Sequence, residues 1–170
     1  MSSMLDIKLI TELQQYIDNH TIHFEFDDRF PPPEIRLSVA KKTDRSQIED
    51  YIKETRKPSF RQVLFSLIDK KGVNDADIYK RAGLDRRHFS KIRSNPDYHI
   101  GKNTAIALAL ALKLNPNETE TLLHTAGYSL SMSDTSDLVI KFCLEKKIYD
   151  VYTVNQALEH FSQKPLIGLL

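Results

Sequence analysis

Cysteine is almost missing from this chain. Its single example, Cys143, can make no internal disulfide, and it falls on an apolar helical stretch where a buried small hydrophobe is the natural reading. No apolar run reaches the length of about 18 residues that a membrane-spanning helix needs. The opening MSSMLDIKL lacks the apolar core of a secretory signal. These three facts point to a reducing cytoplasm. Five glycines and no low-complexity tract argue against a long flexible linker. A strong excess of either charge is absent too. The net charge is +1, so any contact with nucleic acid must come from a local patch.

Catalytic signatures are equally scarce. There is no glycine loop to cradle phosphate, no GxSxG and no CxxC. His20 and His23 have the HxxH spacing of half a metal site, without the further acid, histidine or cysteine ligands that would complete it. His88, His99, His124 and His160 are scattered and read as surface or satisfied histidines. Asp75, Asp77 and Asp85 stand where helix caps are wanted, so their role is structural. No enzyme, metal site or cofactor is expected.

What is present is ordinary for a globular chain: 170 residues, 41% hydrophobic and 28% charged, enough for one domain and a small accessory piece. Residues 4–19 read as an amphipathic helix, with Ile10, Leu13 and Ile17 on one face beside Leu9 and Tyr16. Ile22, Phe24 and Phe26 alternate with polar residues, as do Ile35, Leu37 and Val39 across a proline-locked connection. A small hairpin and two lone extended segments fit that pattern equally. Ile48, Tyr51 and Ile52 mark a short helix that Pro58 ends.

The central part opens at Ser59. Ser59 and Gln62 have capping-box spacing, Val63, Leu64, Leu67 and Ile68 form a buried stripe, and Gly72 stops the helix. Thr104 to Leu112 alternates alanine with leucine. Both are strong helix formers, and a segment apolar all round belongs at the centre of a bundle. Asn115-Pro116-Asn117-Glu118 starts another helix, which buries Leu122, Leu123 and Ala126 and ends at Gly127. Two more helices follow. Leu138, Val139, Phe142 and Cys143 mark the first, which starts near Ser133–Asp137. Thr153 and Gln156 have capping-box spacing at the start of the second, with Val154, Ala157, Leu158 and Phe161 facing in. The apolar tail PLIGLL should dock on the body or on a second copy.

The stretch from Asn74 to Ser94 carries the strongest functional signal. Asn74 or Asp75 can cap a short helix that buries Ile78 and Ala82. Gly83 supplies a tight turn, and Asp85 caps a second helix that buries Phe89 and Ile92. Arg86, Arg87, Ser90, Lys91 and Arg93 are left to point mostly outward. Lys80, Arg81, Arg86, Arg87, Lys91, Arg93 and Lys102 are opposed locally by only Asp85 and Asp97. Helix, glycine turn and basic helix is the build of a helix-turn-helix DNA reader.

Followed by Gly101-Lys102-Asn103-Thr104 and AIALALALKLN, this order resembles the Cro/lambda-repressor-like (xre-type) helix-turn-helix domain over roughly Ser59 to Tyr128. The KRAGLDRRHFSKIRSN texture and the LLHTAGY ending look closer still to a bacterial helix-turn-helix module. That module is found alone or behind macro-type and other effector domains. The resemblance implies a mainly α fold: a five-helix lambda-repressor-like bundle over 59–130. An N-terminal accessory segment would fill 1–58, and a C-terminal helical pair 131–170.

It also implies sequence-specific binding of double-stranded DNA by a homodimer that regulates transcription. Arg86, Arg87, Ser90 and Lys91 would face the major groove, and Lys91, Arg93 and Lys102 would meet phosphates. Two positions depart from the family pattern. Asp75 stands where a phosphate-donating glutamine is usual, and Tyr79 where a small residue lets the two helices press together. Tyr79 should change the packing angle or point out. The C-terminal helices and tail, rich in apolar residues, are the expected dimer surface. The alternative is a protein-interaction adaptor in a bacterial defence or effector system, its basic face meeting an acidic protein partner.

Overall fold

The computed structural model describes residues 7–21 and 44–167. All regular structure among them is helical: α1 (Ile7–His20), α2 (Arg45–Thr55), α3 (Phe60–Lys71), α4 (Asp75–Arg81), α5 (Arg86–Ser94), α6 (Lys102–Ala111), α7 (Pro116–Thr125), α8 (Thr135–Glu145) and α9 (Val151–His160). The alternating segments at 22–26 and 35–39 lie outside the described residues. The chain divides into two compact units. One joins Met1–Ile22 to Ser59–Leu170, and the other is His23–Pro58.

The larger unit is built around α6. Every residue from Ala105 to Ala111 is buried, because α4, α7 and α9 all pack on this one helix. Alanines let the neighbours approach, while Ile106, Leu108 and Leu110 fill the space between them. Burying each of these three large side chains is worth about 1.5–3 kcal/mol. The remaining order follows from caps that satisfy the first amides of each helix. Ser59 and Gln62 form the reciprocal capping box of α3, and Asn115 and Glu118 that of α7, with Pro116 opening the helix. Asp134 caps α8.

The start of α9 corrects one sequence expectation. Thr153 does not cap it. Asp150 does, accepting from the Thr153 amide at 2.9 Å and from the Thr153 hydroxyl at 2.8 Å. The earlier start gives the helix another turn and brings Val151 into the core with Val154.

α1 belongs with this unit and packs along α8. Leu13 and Ile17 are buried. Tyr16 meets the Phe142 ring edge-on at 5.5 Å and donates to Glu145 Oε1 at 3.1 Å, and Lys146 Nζ donates to Glu12 at 2.7 Å. Burial first, and Glu145 second, push the Tyr16 phenol up to about 12. The apolar residues of α8 and α9 that suggested a dimer surface are mostly consumed inside the chain. Leu138, Val139, Ile140, Phe142, Cys143, Val154 and Leu158 are all buried.

The described part of the tail, residues 165–167, docks on the body. Leu166 is buried, and its amide donates to Asn155 Oδ1 at 2.9 Å. The smaller unit contributes α2, capped by Asp44. Ile48, Tyr51 and Ile52 all stay exposed on it.

Candidate functional site

The site is α5 and the elements that hold it. Asn74 caps α4 by accepting from the Asp77 amide at 2.8 Å, and Ile78 and Ala82 are completely buried beneath it. Gly83 then bends the chain at φ +68, a left-handed conformation that costs a residue lacking Cβ little. Asp85 caps α5 by accepting from the Arg87 amide at 2.7 Å. Phe89 and Ile92, each 3% exposed, fix the inner side of α5 in the core.

Tyr79 neither points fully into solvent nor enters the core. It stays half-buried, its ring 5.8 Å from Phe89, and leaves the inner contacts of α4 intact. Phe89 also meets Phe65 edge-on at 5.9 Å, so its ring lies between two aromatic neighbours.

The outer side of α5 is bare. Arg86, Arg87, Ser90 and Lys91 are all exposed. At helical spacing, Arg86 lies above Ser90 and Arg87 above Lys91, so the four share one stripe. Among the described residues Arg86, Arg87 and Lys91 have no ion-pair partner. Three cations on one short helix, with no carboxylate paired to them, make a concentrated positive surface. One flank of the stripe is pinned by His88, whose Nε2 lies 3.0 Å from the Tyr98 hydroxyl.

The structure separates the remaining two candidates from that stripe. Arg93 donates to Asp75 Oδ1 at 2.7 Å and lies over the Phe65 ring, 4.3 Å from its centre. Lys102 donates to Asp137 Oδ2 at 2.6 Å and so turns its ammonium toward α8. The Asp137 carboxylate is 5% exposed and also accepts from the Ser131 amide at 2.8 Å. Both cations are thus engaged within the chain.

No family model, curated protein or solved structure matches this chain. The site therefore stands on its own geometry. Among the described residues, no group of three or more histidine, cysteine or acidic side chains could hold a metal ion. His20 instead stacks on Tyr16 at 4.1 Å, while His23 lies outside the described residues. No helix of the described residues is long and apolar enough to cross a membrane.

Two contributors to the site, Arg61 and Phe65, were not found from the sequence, and the pairing of Asp75 with Arg93 was not either. Arg61 donates from Nε to the Arg93 carbonyl at 2.6 Å, Phe65 lies under the Arg93 guanidinium, and Asp75 pairs with it. Asp75 reads as a cap and as a residue that departs from the family's phosphate-contact pattern, but nothing local points to Arg93, 18 residues on.

Proposed function

We propose that this protein binds double-stranded DNA in a sequence-specific way and regulates transcription, reading the major groove with α5. One observation carries the reading. Arg86, Arg87, Ser90 and Lys91 share a bare stripe of a helix whose opposite side, Phe89 and Ile92, is anchored in the core. A helix held from behind and open in front can enter a groove about 12 Å wide.

Arg86 and Arg87, in the first turn, would meet base edges. An arginine spans the O6 and N7 acceptors of guanine with two hydrogen bonds, each such pair worth about 1–3 kcal/mol of discrimination. Ser90 can donate to either a base or a phosphate. Lys91 neutralises phosphate and sets the register without reading sequence. Arg93 reaches phosphate only by leaving Asp75, and Lys102 only by leaving Asp137, so both contribute less than the bare stripe. In this reading α3 to α7 form the lambda-repressor-like core. Two copies bind a two-fold operator, because one α5 makes few base contacts.

Selection of bound sequences from random duplexes tests the proposal, with an Arg86→Ala/Arg87→Ala variant as control. The wild type should recover a motif of two related halves, and the variant should lose it. The same motif from both proteins would refute the assignment of α5. Affinity should also fall with salt, by about 0.9 in log–log slope for each phosphate neutralised.

A second reading, a protein-interaction adaptor in a bacterial defence or effector system, is favoured by the uncovered face of α2, where Tyr51 is 67% exposed. It predicts weak duplex binding that never saturates, and a stable co-purifying protein.

A further inference from the structure

Arg93 is fixed at both ends. Its carbonyl accepts from Arg61 on α3, and its guanidinium lies on Phe65 of α3 while donating to Asp75 on α4. The ion pair does little to hold these helices together. The side chains keep 51% and 36% of their surface exposed, and water screens such pairs heavily. The pair instead opens onto a cleft of about 380 Å³ shared by α4 and α5, with Tyr79, Arg86 and Ser90 on its walls. Asp75 is the one carboxylate among the residues that line it. A carboxylate there opposes an approaching phosphate twice: by like charge, and by occupying the donor that the phosphate would use.

We infer that Asp75 is an internal stand-in for a backbone phosphate, which keeps Arg93 in a phosphate-ready pose and limits how tightly a duplex binds. The inference rests on the DNA reading above. Binding exchanges one oxygen acceptor for another: the carboxylate swings away and a phosphate oxygen takes the guanidinium. Phe65 and Arg61 hold Arg93 in place during the exchange, so freeing it does not loosen it. Phosphate contacts carry no sequence information, so Asp75 acts on affinity for every duplex alike and leaves the preferred motif unchanged.

The test is the salt dependence of duplex binding by the full chain, with Asp75→Asn compared to Asp97→Asn. Asp97 is exposed and has no ion-pair partner among the described residues, so its removal deletes the same charge without freeing an arginine. Asp75→Asn should tighten binding about threefold to tenfold near 0.1 M salt and steepen the log–log slope by about 0.9. Asp97→Asn should change affinity by under roughly twofold with no change of slope. Adding Arg93→Ala to Asp75→Asn should abolish the gain.

An unchanged slope in Asp75→Asn, an equal gain from Asp97→Asn, or a gain that survives Arg93→Ala would each overturn the role of Asp75. If Arg86→Ala/Arg87→Ala still abolished binding in that case, the DNA reading would stand. Failure of the wild type and Asp75→Asn alike to bind duplex at low salt would sink both.

Discussion

Asp137 and Lys102 meet at 2.6 Å between α8 and the first residue of α6, with the carboxylate buried and the ammonium half-covered. The bond ties the central helix to the C-terminal pair, and the Ser131 amide shares the same oxygen. Asp137→Ala strands both donors. It should lower the stability of the fold by about 2–3 kcal/mol, since hydrogen bonds to a charged group contribute more than neutral ones. Urea denaturation measures the loss, and a change below about 0.5 kcal/mol would show the pair to be incidental.

Asn155 secures the tail with both ends of its amide. Oδ1 accepts from the Leu166 amide at 2.9 Å, and Nδ2 donates to the Ile167 carbonyl at 3.4 Å. Asn155→Ala should cost about 1–3 kcal/mol, because a buried backbone amide loses its partner. Removing the chain from Leu166 onward should cost more, because the buried Leu166 side chain goes with the same hydrogen bonds. Asn155→Ala added to that truncation should cost little further, since its partners are already gone. Additive losses in urea titrations would contradict that picture.

α6, α8 and α9 end in left-handed residues that are not glycine: Lys113, Lys147 and Ser162 have φ of 53, 57 and 56. The ends of α6 and α8 are closed by paired bonds. Lys147 N–H donates to the Leu144 carbonyl and Ile148 N–H to the Cys143 carbonyl, and Lys113 and Leu114 repeat the pattern. A Cβ in this conformation is strained. Lys147→Gly should therefore raise stability by about 0.5–1 kcal/mol, with a higher melting temperature as the readout.

The Cys143 thiol is pushed up to about 12 by burial. Its folded pKa lies above the ordinary value of 9.0, so the folded state holds the proton longer than the unfolded one. The stability this provides is complete below about pH 9 and is lost as pH rises toward about 12, by up to about 1.4 kcal/mol per pH unit. Tyr16 adds in the same direction between 10.0 and about 12. Comparing urea midpoints at about pH 8 and about pH 10.5, the wild type should fall more than Cys143→Ala. Parallel falls would remove Cys143 from the account.

Local chemistry was legible in the sequence wherever cause and effect lie within one turn. The Ser59–Gln62 box, the Asn115-Pro116 start and the bend at Gly83 each involve groups no more than three residues apart. The start of α9 was misread because Thr153 and Asp150 compete for the same task three residues apart, and burial of Val151 favours the earlier one. Pairings across the fold left no trace. Arg93 and Asp75 are 18 residues apart, and Lys102 and Asp137 are 35 apart. Nor does hydropathy tell whether an apolar surplus is covered by the same chain or by another molecule. The surplus of α8 and α9 is covered mostly by the chain itself. The outward side of α5 was readable because Phe89 and Ile92 fix which way the helix must face.

Gly83 has one more neighbour. A Cβ placed on it would lie 3.9 Å from the Ile167 side chain, so the back of that bend is covered by a residue that comes about half a chain length later. The C-terminal segment thus meets the back of the bend that orients the cationic helix, so a change at Ile167 would be felt next to α5 although the two are far apart in the chain.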